Sequence, residues 1–147
     1  MTNKDINLLV AILTPLMLDL EKSSARRRFL RLLKNFKEDS DLEGEYIRKE
    51  YGDKNPDGSL KVIDNQIQFT LENRKLAEVK FKALNDLEIP VDFKGEEKDL
   101  EVIKKVLIGL LEKEKTAKEI TNDTAEYIFI LEGIILQLST IKEKSKK

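Results

Sequence analysis

Apolar residues recur at three- and four-residue intervals along most of the chain, which is the spacing of amphipathic α-helices. The first such stretch is apolar on nearly all sides, and the second changes from basic to acidic along its length. From these patterns we predict five helices, over about residues 3–20, 24–51, 70–86, 97–113 and 123–141. A polar basic tail, residues 142–147, follows the last of them.

The first predicted helix has an inward stripe that consists of Ile6, Leu9, Val10, Leu13, Met17 and Leu20. Pro15 lies inside it and should kink or restart it. Because its other sides are also apolar, this helix is either buried on several sides or binds a partner. Self-association through it is one expectation.

Alternation with a period of two residues, and turn residues, predict a small sheet between the helices. Asp64-Asn65 separates two short apolar runs, which predicts a β-hairpin over residues 60–69. Asn55-Pro56-Asp57-Gly58 has the residues of a type I turn. Residues 87–93 alternate cleanly and predict an edge strand, because Pro90 cannot donate to a ladder.

The predicted fold class is therefore α+β and mainly helical, with five helices in a bundle and a small antiparallel sheet. The sheet would combine the hairpin 60–69 with the strand 87–93. We expect a single domain over residues 1–147, built from three parts: a helical hairpin 3–51, a hairpin–helix–strand unit 58–93 and a helical pair 97–142.

Particular side chains carry further local expectations. Ser23-Ser24 should cap the second helix, and Asp39 to Gly44 weaken it midway, so it is either one helix or two. Thr70 should cap the third helix, and Asp123 and Glu126 resemble a capping pair for the last helix. The third helix should turn inward the residues Leu76, Ala77, Phe81, Ala83 and Leu84. The fourth helix should have an apolar stripe that consists of Leu100, Ile103, Val106, Leu107, Leu110 and Leu111, and the last helix one that consists of Tyr127, Ile128, Leu131, Ile134, Ile135, Leu138 and Ile141. Gly109 and Gly133 should mark close helix–helix approach.

Composition narrows the function classes. The 147 residues contain no Cys and no His and have a net charge of −1. Thiolate and imidazole catalysis and most zinc and haem sites are thereby excluded, so we expect a protein that is not an enzyme. The apolar stretch 6–20 is shorter than the roughly 20 residues that a membrane span needs, and we expect a cytoplasmic protein without a membrane segment.

A basic patch occupies the first half of the second helix. Arg27, Arg31 and Lys34 share one helical face, with Arg26 and Arg28 beside them. Three arginines in a first turn oppose the helix dipole, so something should compensate. The candidates are nearby carboxylates within the chain, an acidic partner protein, or the phosphates of a nucleic acid. Phe29 and Phe36 face inward in this prediction, which disfavours base stacking.

The second candidate site is a calcium loop. Asp53, Asn55, Asp57 and Asp64 occupy positions 1, 3, 5 and 12 of a twelve-residue EF-type pattern, in which Gly58 provides the sharp turn. Lys61, which stands where a ligand belongs, and the strand that follows both favour a structural turn instead. Apart from calcium, we expect no cofactor.

The order of elements over about residues 7–93 resembles an uncharacterised family of small proteins of phages and prophages of Gram-positive bacteria. The shared features are the apolar opening helix, a charged helix that closes in Glu50-Tyr51-Gly52, an acidic turn, the hairpin, a further charged helix and the strand 87–93. The triple arginine and the long last helix depart from that pattern. The resemblance implies a viral accessory protein in the host cytoplasm and assigns no functional residue.

We therefore expect a phage-encoded protein that acts by protein–protein contact, with virion or tail assembly as its role. One alternative is an inhibitor of a host defence or nucleic-acid enzyme, in which the acidic stretch 39–57 mimics nucleic acid or the arginines hold an acidic partner. Another is a nucleic-acid-binding accessory protein that uses the patch 26–37.

Overall fold

The computed structural model describes residues 1–117 and 119–145, which form five helices and one two-stranded antiparallel sheet. The helices are α1 (Asn3–Leu13), α2 (Leu20–Tyr51), α3 (Leu71–Asp86), α4 (Glu97–Lys115) and α5 (Asn122–Ser145). The strands are β1 (Val62–Ile63) and β2 (Gln66–Ile67). The predicted class, mainly helical α+β with a small hairpin, is confirmed.

The first helix is shorter than its apolar pattern predicts. α1 ends at Leu13, two residues before Pro15, because proline disrupts a helix interior. Met17 and Leu20 lie beyond its end and no longer follow its stripe. They are 98% and 85% exposed, so their predicted inward position is wrong.

The second helix begins four residues earlier than predicted. Its N-cap is Asp19, whose carboxylate accepts a hydrogen bond from the Lys22 amide at 2.9 Å. The cap predicted at Ser23-Ser24 is wrong, because Asp19 provides the capping oxygen upstream. Arg26 and Arg28 therefore lie beyond the first turn, where the helix dipole opposes cations much less.

α2 continues as one helix through its acidic centre to Tyr51. The hydroxyl of the buried Ser40 donates to the Lys37 carbonyl at 3.0 Å, which satisfies it inside the helix. Lys37 also pairs with Asp41 at 2.6 Å, one turn along. These local contacts offset the weak helix propensity of this segment.

α1 is an interior element. Ile6, Leu9 and Leu13 are fully buried. Its remaining large apolar residues, Leu8, Val10 and Ile12, are partly buried against the same core. The apolar excess of α1 thus has an intramolecular explanation, and self-association through it stays a prediction.

The hairpin forms as predicted, and residues 87–93 do not join it. Asp64 and Asn65 adopt φ values of 52° and 62°, the left-handed conformation of a type I′ turn. Residues 87–93 instead run beside the N-terminus, where Glu88 forms an isolated bridge with Thr2. The alternation is still visible, since the side chains that lie inward are Ile89, Val91 and Phe93.

One hydrophobic core joins α1, α2, α4, α5 and Phe93. The rings of Phe29 and Phe93 stack with centroids 5.7 Å apart. The predicted stripes of α4 and α5 supply the other fully or almost fully buried residues: Leu100, Ile103, Leu107, Leu131, Ile134 and Leu138. Their regular spacing explains why these stripes could be identified from the sequence.

α3 packs outside this core, against the distal half of α2. Thr70 caps it as predicted, and Ala77 is its one fully buried residue in the structure. Phe81 is half-buried, whereas Leu76 and Ala83 are exposed, so their predicted inward position is wrong. α3 also contacts α1, where Asn3 donates to the Leu84 carbonyl, but a helix at the edge of the bundle buries a narrower stripe than the sequence suggested.

The start of α5 also differs from the prediction. The Thr121 hydroxyl accepts a hydrogen bond from the Thr124 amide at 3.2 Å, as an N-cap does. The capping pair predicted from Asp123 and Glu126 is therefore wrong by two residues. The predicted basic tail is helical as far as Ser145, and its last two residues lie outside the described ones.

Within the described residues, one helix is long and apolar enough to cross a membrane by length and composition alone. It is α5 over Asn122–Ile141, with a mean hydropathy of 1.3. The sequence argument considered only residues 6–20 and missed it. Its stripe packs into the core, but only 17% of this span is buried, and Phe129 and Leu136 are exposed. Cytoplasmic location stays a prediction.

Gly109 and Gly133 do not mark close helix packing. Apart from its chain neighbours and the nearby backbone of its own helix, a Cβ atom added at either position would have no heavy atom of the described residues within 4 Å. The predicted close approach is therefore wrong for this molecule by itself. Gly52 differs, because a Cβ there would collide with the Arg48 carbonyl oxygen and lie 2.8 Å from Leu60 Cδ2.

We expect Gly133→Ala to stabilise the protein by about 1 kcal/mol, because alanine favours a helix interior and the added methyl group has room. The free energy of unfolding from urea titration measures this. Gly52→Ala is the matched control and should destabilise. A loss of stability in Gly133→Ala would contradict the described packing of α5.

Candidate partner-binding groove on the second helix

Arg26 serves the α1–α2 connection. Its guanidinium donates to the carbonyl oxygens of Leu13 at 2.9 Å and Leu16 at 2.6 Å. Carbonyl groups at the end of a helix lack partners within the helix, and a cation there also suits the helix dipole. Arg26 is therefore committed to the fold rather than to a ligand.

Arg28 binds the start of α4. Its Nε and one terminal nitrogen donate to the two carboxylate oxygens of Asp99, at 2.8 and 2.9 Å. Asp99 is buried, and the hydrogen bonds from Arg28 hold the pKa of its carboxyl below the usual range. The same contact raises the pKa of Arg28. This bidentate hydrogen bonding fixes the orientation of both side chains.

Arg27, Arg31 and Lys34 form the remaining exposed face, as the helical spacing predicted. They line a groove of about 560 Å³ whose floor is made by Val10 of α1 and Leu30 of α2. Lys37 and Glu38 complete the lining, and we call this surface the basic groove.

The charges of the basic groove are only partly neutralised. Arg27 and Arg31 form no ion pair with another residue in the described part of the chain. Lys34 lies 3.7 Å from Glu38, a loose and exposed contact. Exposed pairs of this kind contribute little, so the groove keeps a positive potential.

The sequence could not identify the floor of the groove. Val10 and Leu30 are twenty residues apart, and only the packing of α1 on α2 brings them together. The expectation about aromatics holds, since Phe29 is fully buried and Phe36 packs on the core. A ring on which a base could stack is absent from the lining.

The predicted calcium ligands are engaged in turns. The Asn55 carbonyl accepts from the Gly58 amide at 2.9 Å, which closes the predicted turn. Asp57 accepts from the amide and hydroxyl of Ser59, and the hydroxyl contact leads the lowering of its pKa. Asp53 caps the Lys54 amide, and Asp64 sits in the hairpin turn.

These carboxylates do not converge. Across the part of the chain that the structure describes, no group of three or more acidic, His or Cys residues is placed to hold a metal ion. The calcium hypothesis stays a prediction, and the geometry favours the structural turn that was its alternative.

We expect Arg28→Ala to lower the melting temperature by about 3–10 °C, because a buried acceptor without its donors costs about 1–3 kcal/mol. Arg27→Ala is the control, with a change near zero, because Arg27 is exposed and unpaired within the described residues. Thermal unfolding followed by circular dichroism measures both. Equal effects of the two substitutions would contradict the division of roles among the arginines.

We expect 1 mM calcium to change the melting temperature by less than about 1 °C. A site with Kd of about 1 µM would instead add roughly 4 kcal/mol at that concentration. Magnesium at the same concentration is the control for general ionic effects. A rise with calcium that Asp57→Asn abolishes would restore the calcium-loop hypothesis.

The comparisons with known proteins return nothing that extends this geometry. No family model matches the chain, and no curated protein or solved structure matches it. The resemblance to phage and prophage proteins therefore stays a prediction.

Proposed function

We propose that this is a non-enzymatic, phage-encoded protein that acts by binding another protein, and that the basic groove is its contact surface. The observation that carries the proposal is the separation of the arginines. Arg26 and Arg28 are used within the fold, whereas Arg27, Arg31 and Lys34 line a groove with an apolar floor.

The groove suits an acidic segment of a partner that also carries apolar side chains. Val10 and Leu30 offer apolar contact, and the cations around them can pair with carboxylates. Desolvated apolar contact with charges at the rim is the usual anatomy of a protein interface. The absence of imidazole and thiol from the sequence supports a role that depends on shape and charge.

Binding to nucleic acid through the same patch is less well supported. Two of the five predicted contact residues are engaged within the fold, which leaves three of these cations available near the start of α2. Affinity for phosphates depends mainly on the number of cations that can contact them.

An inhibitor of a host enzyme is the second candidate. The exposed carboxylates of the distal half of α2 favour it, since Asp39, Glu43 and Glu50 share one face of that helix. Such a row could imitate the phosphates of a nucleic acid. Whether the partner serves assembly or defence follows from its identity, which co-purification from infected cells would give.

We expect the wild-type protein to bind a Glu- and Leu-rich peptide at about 50 mM salt, and to release it as salt rises. The variant R27Q/R31Q/K34Q should weaken binding by about ten-fold or more, because the groove loses its rim charges. Fluorescence anisotropy with a labelled peptide measures both.

The charge-matched control is K49Q/R74Q/K98Q, whose three positions are exposed and lie outside the groove. Its affinity should equal that of the wild type. Random duplex DNA is the competing probe. Binding to the duplex but not to the peptide, with loss in R27Q/R31Q/K34Q, would replace the proposal with the nucleic-acid alternative.

A further inference from the structure

A second groove runs between the α1–α2 connection and α4 and shares no residue with the basic groove. Its volume is about 570 Å³. The apolar lining consists of Leu16, Met17, Leu18, Val106 and Leu110. Lys22, Lys105 and Lys113 stand around it, and no carboxylate lines it. We call this surface the lysine-rimmed groove.

One wall of this groove is formed by a row of residues along one side of α4. Lys105, Gly109 and Lys113 follow at four-residue intervals, so the two lysines flank the glycine over about 12 Å of helix. Lys105 and Lys113 form no ion pair within the described residues. The glycine costs the helix about 1 kcal/mol relative to alanine, and the packing of the described chain gives no reason for it.

The missing side chain at Gly109 has a geometric consequence. Because nothing lies within 4 Å of where its Cβ would be, the backbone of α4 is open to close approach from outside. Beside it, Met17 is 98% exposed, and the thioether of methionine adapts to differently shaped partners. The groove thus combines an apolar floor, an open helix backbone and two cations, Lys105 and Lys113, that form no ion pair within the described residues. Its third cation, Lys22, lies 3.5 Å from Asp19.

A complementary surface is present on the same chain. The distal half of α2 exposes Leu42 by 51% and Tyr46 by 60%, one turn apart. Three exposed carboxylates border them on the same side of the helix: Asp39, Glu43 and Glu50. This side lies away from the buried Ser40 and Gly44, which face α3. We call it the acidic stripe.

We propose that the acidic stripe of one molecule binds the lysine-rimmed groove of a second copy. Leu42 and Tyr46 enter the apolar groove beside Gly109, and the carboxylates approach Lys105 and Lys113. The inference goes beyond the proposed function, because it leaves the basic groove free for another partner. Both surfaces are exposed and unexplained in the single molecule, and their charges are opposite.

The two contact surfaces differ, so the contact is head-to-tail. A pair of bound copies still presents one unused groove on one copy and one unused stripe on the other. A contact of this type closes into a ring or continues as an open chain of molecules. Because exposed charges contribute, association should weaken as the salt concentration rises.

Sedimentation velocity on the whole protein tests the inference. At roughly 100 µM and low salt, we expect wild-type species heavier than the 17.0 kDa monomer. K105E/K113E and D39K/E43K should each be monomeric, with self-association weakened about ten-fold or more. All four positions are exposed, so both variants should keep the wild-type melting temperature.

Mixing the two variants gives the decisive result. K105E/K113E keeps its stripe and D39K/E43K keeps its groove, so the wild-type contact can form between them. The two reversed surfaces are also opposite in charge to each other. We therefore expect the mixture to associate, although each variant alone stays monomeric. Gly109→Leu, which fills the groove without changing charge, should abolish association while the chain stays folded.

The controls separate this inference from the proposed function. K75E/K80E changes charge equally on α3 and should associate as the wild type does. R27Q/R31Q/K34Q should also associate normally. A wild type that stays monomeric, variants that do not combine when mixed, or association lost in R27Q/R31Q/K34Q but kept in K105E/K113E would each overturn it.

Discussion

The ion pair between Arg28 and Asp99 fixes the rotation of α2 about its own axis, and the surface of the molecule depends on that rotation. Successive residues of a helix point about 100° apart. With Arg28 held by Asp99 and Phe29 stacked on Phe93, the directions of their neighbours are set. Arg26 then reaches the end of α1, and Arg27 faces outward.

The same rotation determines which residues in the distal half of α2 face the solvent. Ser40 and Gly44 are buried toward α3, so the carboxylates between them and Tyr51 lie mostly outside. Most cations of α2 thus lie in its first half and most of its carboxylates in its second half. A protein with a net charge of −1 thereby displays two surfaces of opposite sign, which its total charge conceals.

Periodicity was enough to predict the buried stripes of α4 and α5, the Thr70 cap, the hairpin turn and the shared face of Arg27, Arg31 and Lys34. It failed where the outcome depends on distant partners. Asp99 is 71 residues from Arg28 in the sequence, and no local sequence pattern predicts their contact. The N-cap of α2 is Asp19 rather than Ser23 or Ser24. Gly109 and Gly133, which suggested close helix packing, are open to the surface. The calcium pattern matched in spacing, but its side chains serve their own turns.

α2 contains 32 residues and is therefore about 48 Å long, well beyond the core that holds its first half. Its distal half is covered mainly by α3, in which Ala77 alone is fully buried. Stability is consequently distributed unequally: opening this outer part exposes little apolar surface and leaves the central cluster intact. The acidic end of the molecule can therefore rearrange around whatever it binds without requiring the whole chain to unfold.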